Sequence, residues 1–168
     1  MKHPTALLLL SIGLTLALLP AAHADTSDTL RDAHYHRCAK PVFYAQTLNH
    51  KKEVEICIVT PSVSYSFGKT GAEHKEMDIT VPAQKTRYAY QSNQVISLQE
   101  FTVHNGNTTY QVSAGNSDEG KPFAALDIYR GSPDTGKHLA TITLDPDTVI
   151  NDISHTLQEE GIPQQDDL

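Results

Sequence analysis

The sequence predicts a mainly β fold: an antiparallel β-sandwich or small barrel of about eight or nine strands, with one C-terminal amphipathic helix. Three observations predict it. Apolar and polar residues alternate with period two through successive short stretches, as in Val63, Tyr65 and Phe67 against Ser62, Ser64 and Ser66. Turn residues punctuate those stretches, at Gly68-Lys69-Thr70-Gly71, Asn105-Gly106 and Ser132-Pro133-Asp134-Thr135-Gly136. No helical period is interleaved between the strands, so nothing is available to cross over parallel pairs.

Residues 1–24 have the three parts of a secretory signal peptide: Lys2, an apolar run from Ala6 to Leu19, and the small-x-small site Ala22-His23-Ala24. Cleavage is expected before Asp25. The apolar run is about 14 residues, short of the roughly 20 that a membrane span needs. A single β-rich domain is expected over 25–161. Asp25 to Arg37 is polar and weakly patterned, fit for a flexible arm or a short helical turn capped by Ser27 or Asp28. Val42 to Thr47 reads as a first strand. In Glu53 to Thr60, Val54, Ile56 and Ile58 point one way and Glu53, Glu55 and Cys57 the other. Ser62 to Phe67, Glu76 to Val81, Thr86 to Gln91 and Val95 to His104 follow as strands. Pro61 and Pro82, lacking an N–H, end two of the ladders.

Asn105-Gly106 reads as a type I′ hairpin turn into Thr108–Ala114. Phe123 to Arg130 and His138 to Leu144 complete the strands. From Asp147 to Glu160 the apolar residues Val149, Ile150, Ile153 and Leu157 fit one helical stripe. Asp145 or Asp147 would cap its start and Gly161 its end. Residues 162–168 read as a disordered acidic tail.

The formal charge of −7 argues against nucleic acid or anionic lipid as a partner, because phosphate recognition needs clustered Lys and Arg. After cleavage no stretch is apolar enough for membrane insertion. The two cysteines, Cys38 and Cys57, form an even pair, which bridges in an oxidising compartment. The disulfide closes a loop of about 18 residues, worth roughly 3 kcal/mol in the chain-entropy model. The expected location is periplasmic or secreted.

The residues present offer four kinds of chemistry. His34-x-His36, two residues before Cys38, would put both imidazoles on one side of an extended segment, as a metal site needs. No third ligand is evident, a bridged Cys38 is no thiolate, and no cofactor is expected. For nucleophilic catalysis the chain lacks G-x-S-x-G, and the hydroxyl row Ser62, Ser64, Ser66 reads as a solvated strand face. Ser154-His155 are neighbours that do not face each other on a helix. Asp118, Asp127, Asp145 and Asp147 are spread over the chain, so no carboxylate pair is assigned. The loops Gly68–Glu73 and Asn116–Lys121 are polar and long enough to form a binding surface.

The run Ile56-Cys57, Val63-Ser64-Tyr65-Ser66-Phe67-Gly68-Lys69-Thr70-Gly71 and the strand through Ile79 resembles a V-x-Y-S-F-G-K-x-G pattern in small exported bacterial proteins of unassigned function. It departs from that pattern at Glu73–Asp78. The resemblance implies a secreted β domain and carries no activity. A fold-level likeness to compact periplasmic lysozyme inhibitors is limited by Ser113-Ala114-Gly115-Asn116, which lacks their S-G-x-x-Y loop. The resulting expectation is a non-catalytic periplasmic or secreted protein that binds another macromolecule of the cell envelope, as an inhibitor or immunity-type protein. The alternatives are an envelope hydrolase assembled from distant residues and a metal-binding protein using His34 and His36.

Overall fold

The computed structural model describes residues 27–93, 95–162 and 164, so the signal peptide read at 1–24 lies outside the described residues. Ten strands form two antiparallel five-stranded sheets. Sheet 1 holds β1 (Pro41–Gln46), β2 (Lys52–Val59), β3 (Ser62–Lys69), β4 (Met77–Pro82) and β10 (Ile150–Asn151), in the order β10-β1-β2-β3-β4. Sheet 2 holds β5 (Thr86–Ser92), β6 (Ser97–Asn105), β7 (Thr108–Asn116), β8 (Pro122–Arg130) and β9 (Lys137–Thr143) in sequence order. The sheets are not closed into a barrel, and the architecture is a sandwich.

Alternation dictates what each sheet buries. Val54, Ile56, Val63, Tyr65 and Val81 of sheet 1 meet Phe101, Val103, Val112 and Leu126 of sheet 2 in one apolar cluster. The Tyr65 and Tyr110 rings stack across it at 4.8 Å. Burying each aliphatic side chain contributes about 1.5–3 kcal/mol. Among the described residues, no helix is long and apolar enough to cross a membrane.

The structure departs from the sequence reading at both termini. Ser27–Arg37 is an eleven-residue helix, α1, rather than an arm. Its buried residues are Leu30 and His34, one turn apart, and Leu30 packs on Tyr44 and Ile150. Asp28 in its first turn and His34, His36 and Arg37 in its last suit the helix dipole. At the other end the expected helix of 147–160 is divided. Pro146–Thr148 is a 3-10 turn, capped by Asp145 accepting from the Asp147 amide, and Ile150 pairs with Tyr44 in β10. Helix α2 is only Ile153–Glu159, entered at Asp152, with Ile153 and Leu157 buried. The helical spacing of Val149 and Ile150 is thus overridden by strand pairing with β1. Gly161, at φ 67°, ends the helix as expected. Ile162, assigned to the tail, packs in the core, and residues 163 and 165–168 lie outside the described residues.

The β6–β7 hairpin also differs in detail. Asn105 pairs with Thr108, so the loop is Gly106-Asn107, and only Gly106 takes a positive φ, 61°. That is the sign pattern of a II′ turn, which needs glycine first, and not of the I′ turn expected. The sulfurs of Cys38 and Cys57 sit at disulfide distance, with Cα atoms 5.8 Å apart. They join the segment after α1 to β2.

Candidate functional site

The outward face of sheet 1 is built from the residues that alternate against the core. Tyr44, Glu55, Ser66 and Asp78 lie across β1 to β4 in one row, with Cys57 and Ser64 in the next. Helix α1 covers the β10–β1 half of this face. It is held there by Leu30, by the Tyr35 hydroxyl donating to Asp152 at 3.2 Å, and by Arg37 on Glu55. The β2–β4 half stays open. Arg37-Cys38-Ala39 walls it on one side, and the β3–β4 loop, including Gly71, Glu73 and Lys75, on the other. Between them is a groove of about 630 Å³, floored by Ser64, Ser66 and Asp78.

Gly68 sets the second wall. A Cβ there would lie 2.6 Å from the Glu76 amide nitrogen and 3.1 Å from the Lys75 Cα. Only glycine lets the loop fold back this closely, which brings Lys75 over Glu53.

Two charged networks line the groove. In the first, Gln46 Nε2 donates to the Tyr44 hydroxyl at 2.9 Å, and Tyr44 donates to Glu53 Oε2 at 2.7 Å. Glu53 Oε1 accepts from the Gly71 amide and from Lys75 Nζ. Glu53 is 3 % exposed, so it must be both paired and hydrogen-bonded. Burial pushes the Tyr44 hydroxyl far above its ordinary range; the Gln46 hydrogen bond opposes this and the Glu53 bond and charge add to it. Tyr44 therefore stays neutral and keeps its proton for Glu53.

In the second network His34 Nδ1 lies 2.9 Å from Glu55 Oε2, and Arg37 Nη2 donates to the same oxygen at 2.8 Å. Burial raises the Glu55 carboxyl, but hydrogen bonds from His34 and Arg37 and the charge of Arg37 outweigh it and hold it below the usual range. The carboxylate can only accept, so Nδ1 of His34 donates to it. His34 is fully buried with its ring 5.4 Å from that of Tyr44, and its Nε2 has no hydrogen-bond partner among the described residues.

These placements correct several sequence expectations. Glu53, Glu55 and Cys57 point away from Val54, Ile56 and Ile58 as the alternation predicts, but α1 and the β3–β4 loop bury most of that row. Ser64 and Ser66 do lie on an open face, but as the floor of a groove. His34 and His36 do not share one side of an extended segment, because the segment is helical and residues two apart diverge. His34 is buried on Glu55 and His36 is exposed. Among the described residues no three His, Cys, Asp or Glu side chains are grouped to hold a metal ion.

The spread carboxylates do not converge. Asp145 bonds His50, Asp118 and Asp147 are exposed, and Asp127 lies on the outer face of sheet 2. There Asp127 meets His138 and Thr141, a trio that sequence reasoning missed. Its signal was available: Asp127 and Thr141 are direct cross-strand partners once β8 and β9 are paired. Its geometry is not that of a relay. Nε2 of His138 lies 3.0 Å from both Asp127 Oδ1 and Thr141 Oγ1, whereas a triad uses one ring nitrogen for the base and the other for the acid. Ser154 and His155 are likewise apart in role: the Ser154 amide binds Gln99, and His155 faces Glu159.

No protein-family model, curated protein or solved structure matches this chain.

Proposed function

We propose that the chain is a non-catalytic, exported binding protein that holds a protein partner of the cell envelope in the groove on sheet 1. One observation carries this reading. Buried Glu53 and half-buried Glu55, beside the groove, are each held by a cation and further donors: Glu53 by Lys75, Gly71 and Tyr44, and Glu55 by His34 and Arg37 of α1. Such an arrangement fixes hydrogen-bonding groups and holds Glu55 ionised. Glu55, held below its usual range, is not the raised carboxyl that acid-pair hydrolysis needs. The open groups are the hydroxyls of Ser64 and Ser66 and the acids Glu73 and Asp78, a surface suited to polar contacts. The leader read at 1–24 and the paired cysteines support export.

The test is capture from envelope extract with the tagged protein, alongside a variant carrying Ser64→Arg and Ser66→Arg. Two long side chains on the floor fill the groove without entering the core. A partner retained by the natural protein and lost with the variant is the expected result. No reproducible partner, or equal capture by both, contradicts the proposal.

A further inference from the structure

The charges that line the groove on sheet 1 do not balance. Arg37 and Lys75 stand against Glu53, Glu55, Glu73 and Asp78. Lys75 pairs with Glu53 and Arg37 with Glu55. Glu73, in the loop wall, and Asp78, on the floor, are exposed, and their carboxylates have no hydrogen-bond or ionic partner among the described residues. The groove is therefore left with two uncompensated negative charges.

Its floor is also a row of open acceptors. Glu55, Ser66 and Asp78 are direct cross-strand partners on β2, β3 and β4, so successive members stand one strand spacing apart, about 4.8 Å. His34 and Arg37 both bond Glu55 through Oε2, and Oε1 accepts nothing among the described residues. The Ser66 hydroxyl is likewise without a partner there, and that of Ser64 reaches only the Cys57 carbonyl, at 3.5 Å. A carboxylate can only accept, and a serine hydroxyl accepts as readily as it donates. β4 is the edge strand of sheet 1, so the row ends at the rim with exposed Asp78.

We infer that the groove receives a basic side chain, lysine or arginine, from an exposed segment of the partner. This rests on the reading of the groove as the contact surface and names the chemistry of what enters it. The cation lies on the floor and donates to neighbouring members of the row, with Glu73 facing it from the loop wall. Hydrogen bonds between ionised groups are the strong ones, and the planar fork of an arginine meets more than one acceptor at once. The same unpaired acids repel an acidic segment.

The test uses isotope-labelled protein recovered from secretory expression. It is titrated at low salt with the capped tripeptide acetyl-Ala-Arg-Ala-amide, and with counterparts carrying citrulline, which keeps the shape without the charge, or glutamate. The expected result is saturable amide shifts at Ser64–Ser66, Gly71–Lys75 and Asp78 with the arginine peptide, and at least tenfold weaker binding of the other two. The exposed double variant Glu73→Gln/Asp78→Asn should lose that preference. Asp118→Asn/Glu119→Gln, which removes the same charge from another loop, should keep it. Three results would overturn the inference: no saturable shift at millimolar peptide, equal binding of the arginine and citrulline peptides, or the same loss in both double variants. An envelope partner that is lost with Ser64→Arg/Ser66→Arg and retained by Glu73→Gln/Asp78→Asn would also overturn it, while leaving the groove as the contact surface.

Discussion

Replacing Lys75 by Met removes the ammonium group paired with Glu53, a carboxylate that is 3 % exposed. Breaking a buried pair in this way costs about 3–5 kcal/mol, because the remaining charge is left uncompensated. Glu53 keeps the Tyr44 hydroxyl at 2.7 Å and the Gly71 amide at 3.2 Å, which places the cost at the lower end. The expected loss is about 3 kcal/mol, a fall in Tm of about 10 °C for a domain of this size. Adding Glu53→Gln removes the stranded charge, so the double variant should lose only about 1 kcal/mol relative to the natural protein. Urea unfolding of the four proteins at neutral pH measures both values and the coupling. A single Lys75→Met change costing no more than the exposed control Lys121→Met would refute the reasoning. So would a double variant as weak as the sum of its parts.

Three further outcomes follow from the same structure. Glu55 is held below its usual range in the folded state, so its contribution is complete above the unfolded value near pH 4.3 and is lost as pH falls through the folded value. The stability gap between the natural protein and Glu55→Gln should therefore be constant from about pH 6 to 8 and close in acid, as followed by urea midpoints. Glu100 is the opposite case. Burial, then the charges of Asp127 and Asp134, raise it, so its ionised form opposes folding at neutral pH. Glu100→Gln, which keeps an acceptor for Gln111, should raise the neutral-pH midpoint, with the gain fading below about pH 4. Leu157→Ala, in the fully buried stripe of α2, should cost about 3 kcal/mol by calorimetry, and a loss under 1 kcal/mol would mean that α2 does not close the core.

The strands were legible because one physical rule governs them locally. Val54, Ile56 and Ile58 alternate with polar neighbours wherever one face is buried and the other is not. The rule fails where an element is buried for a non-local reason. β1 is buried along its whole length, with sheet 2 on one side and α1 on the other, so Tyr44 and Gln46 are buried polar residues with no signature in their spacing. The sequence leaves the α1 segment open between an arm and a short helical turn because only Leu30 and His34 mark its buried side. Ile150 was misread because its spacing to Ile153 and Leu157 fits a helix, while its pairing to Tyr44 is a contact over a hundred residues away in sequence.

The groove was hidden for the same reason. Glu53 and Glu55 on alternate positions look like a solvated strand face until a helix and a loop close over them. A polar helix bearing His34 and Arg37 one turn apart, beside a strand with two alternate acids, is the pattern that would have pointed to it. What the sequence did disclose was the floor, since the alternation of Ser64 and Ser66 against Val63 and Tyr65 already put both hydroxyls outward.

Hydrogen exchange on the captured complex measures directly where a partner touches the molecule. Slowed exchange is expected at the amides of Arg37–Ala39 and across Gly71–Lys75, the two walls of the sheet 1 groove. A footprint on the outer face of sheet 2, around Glu100 and Asp127, with those walls unchanged, would contradict it.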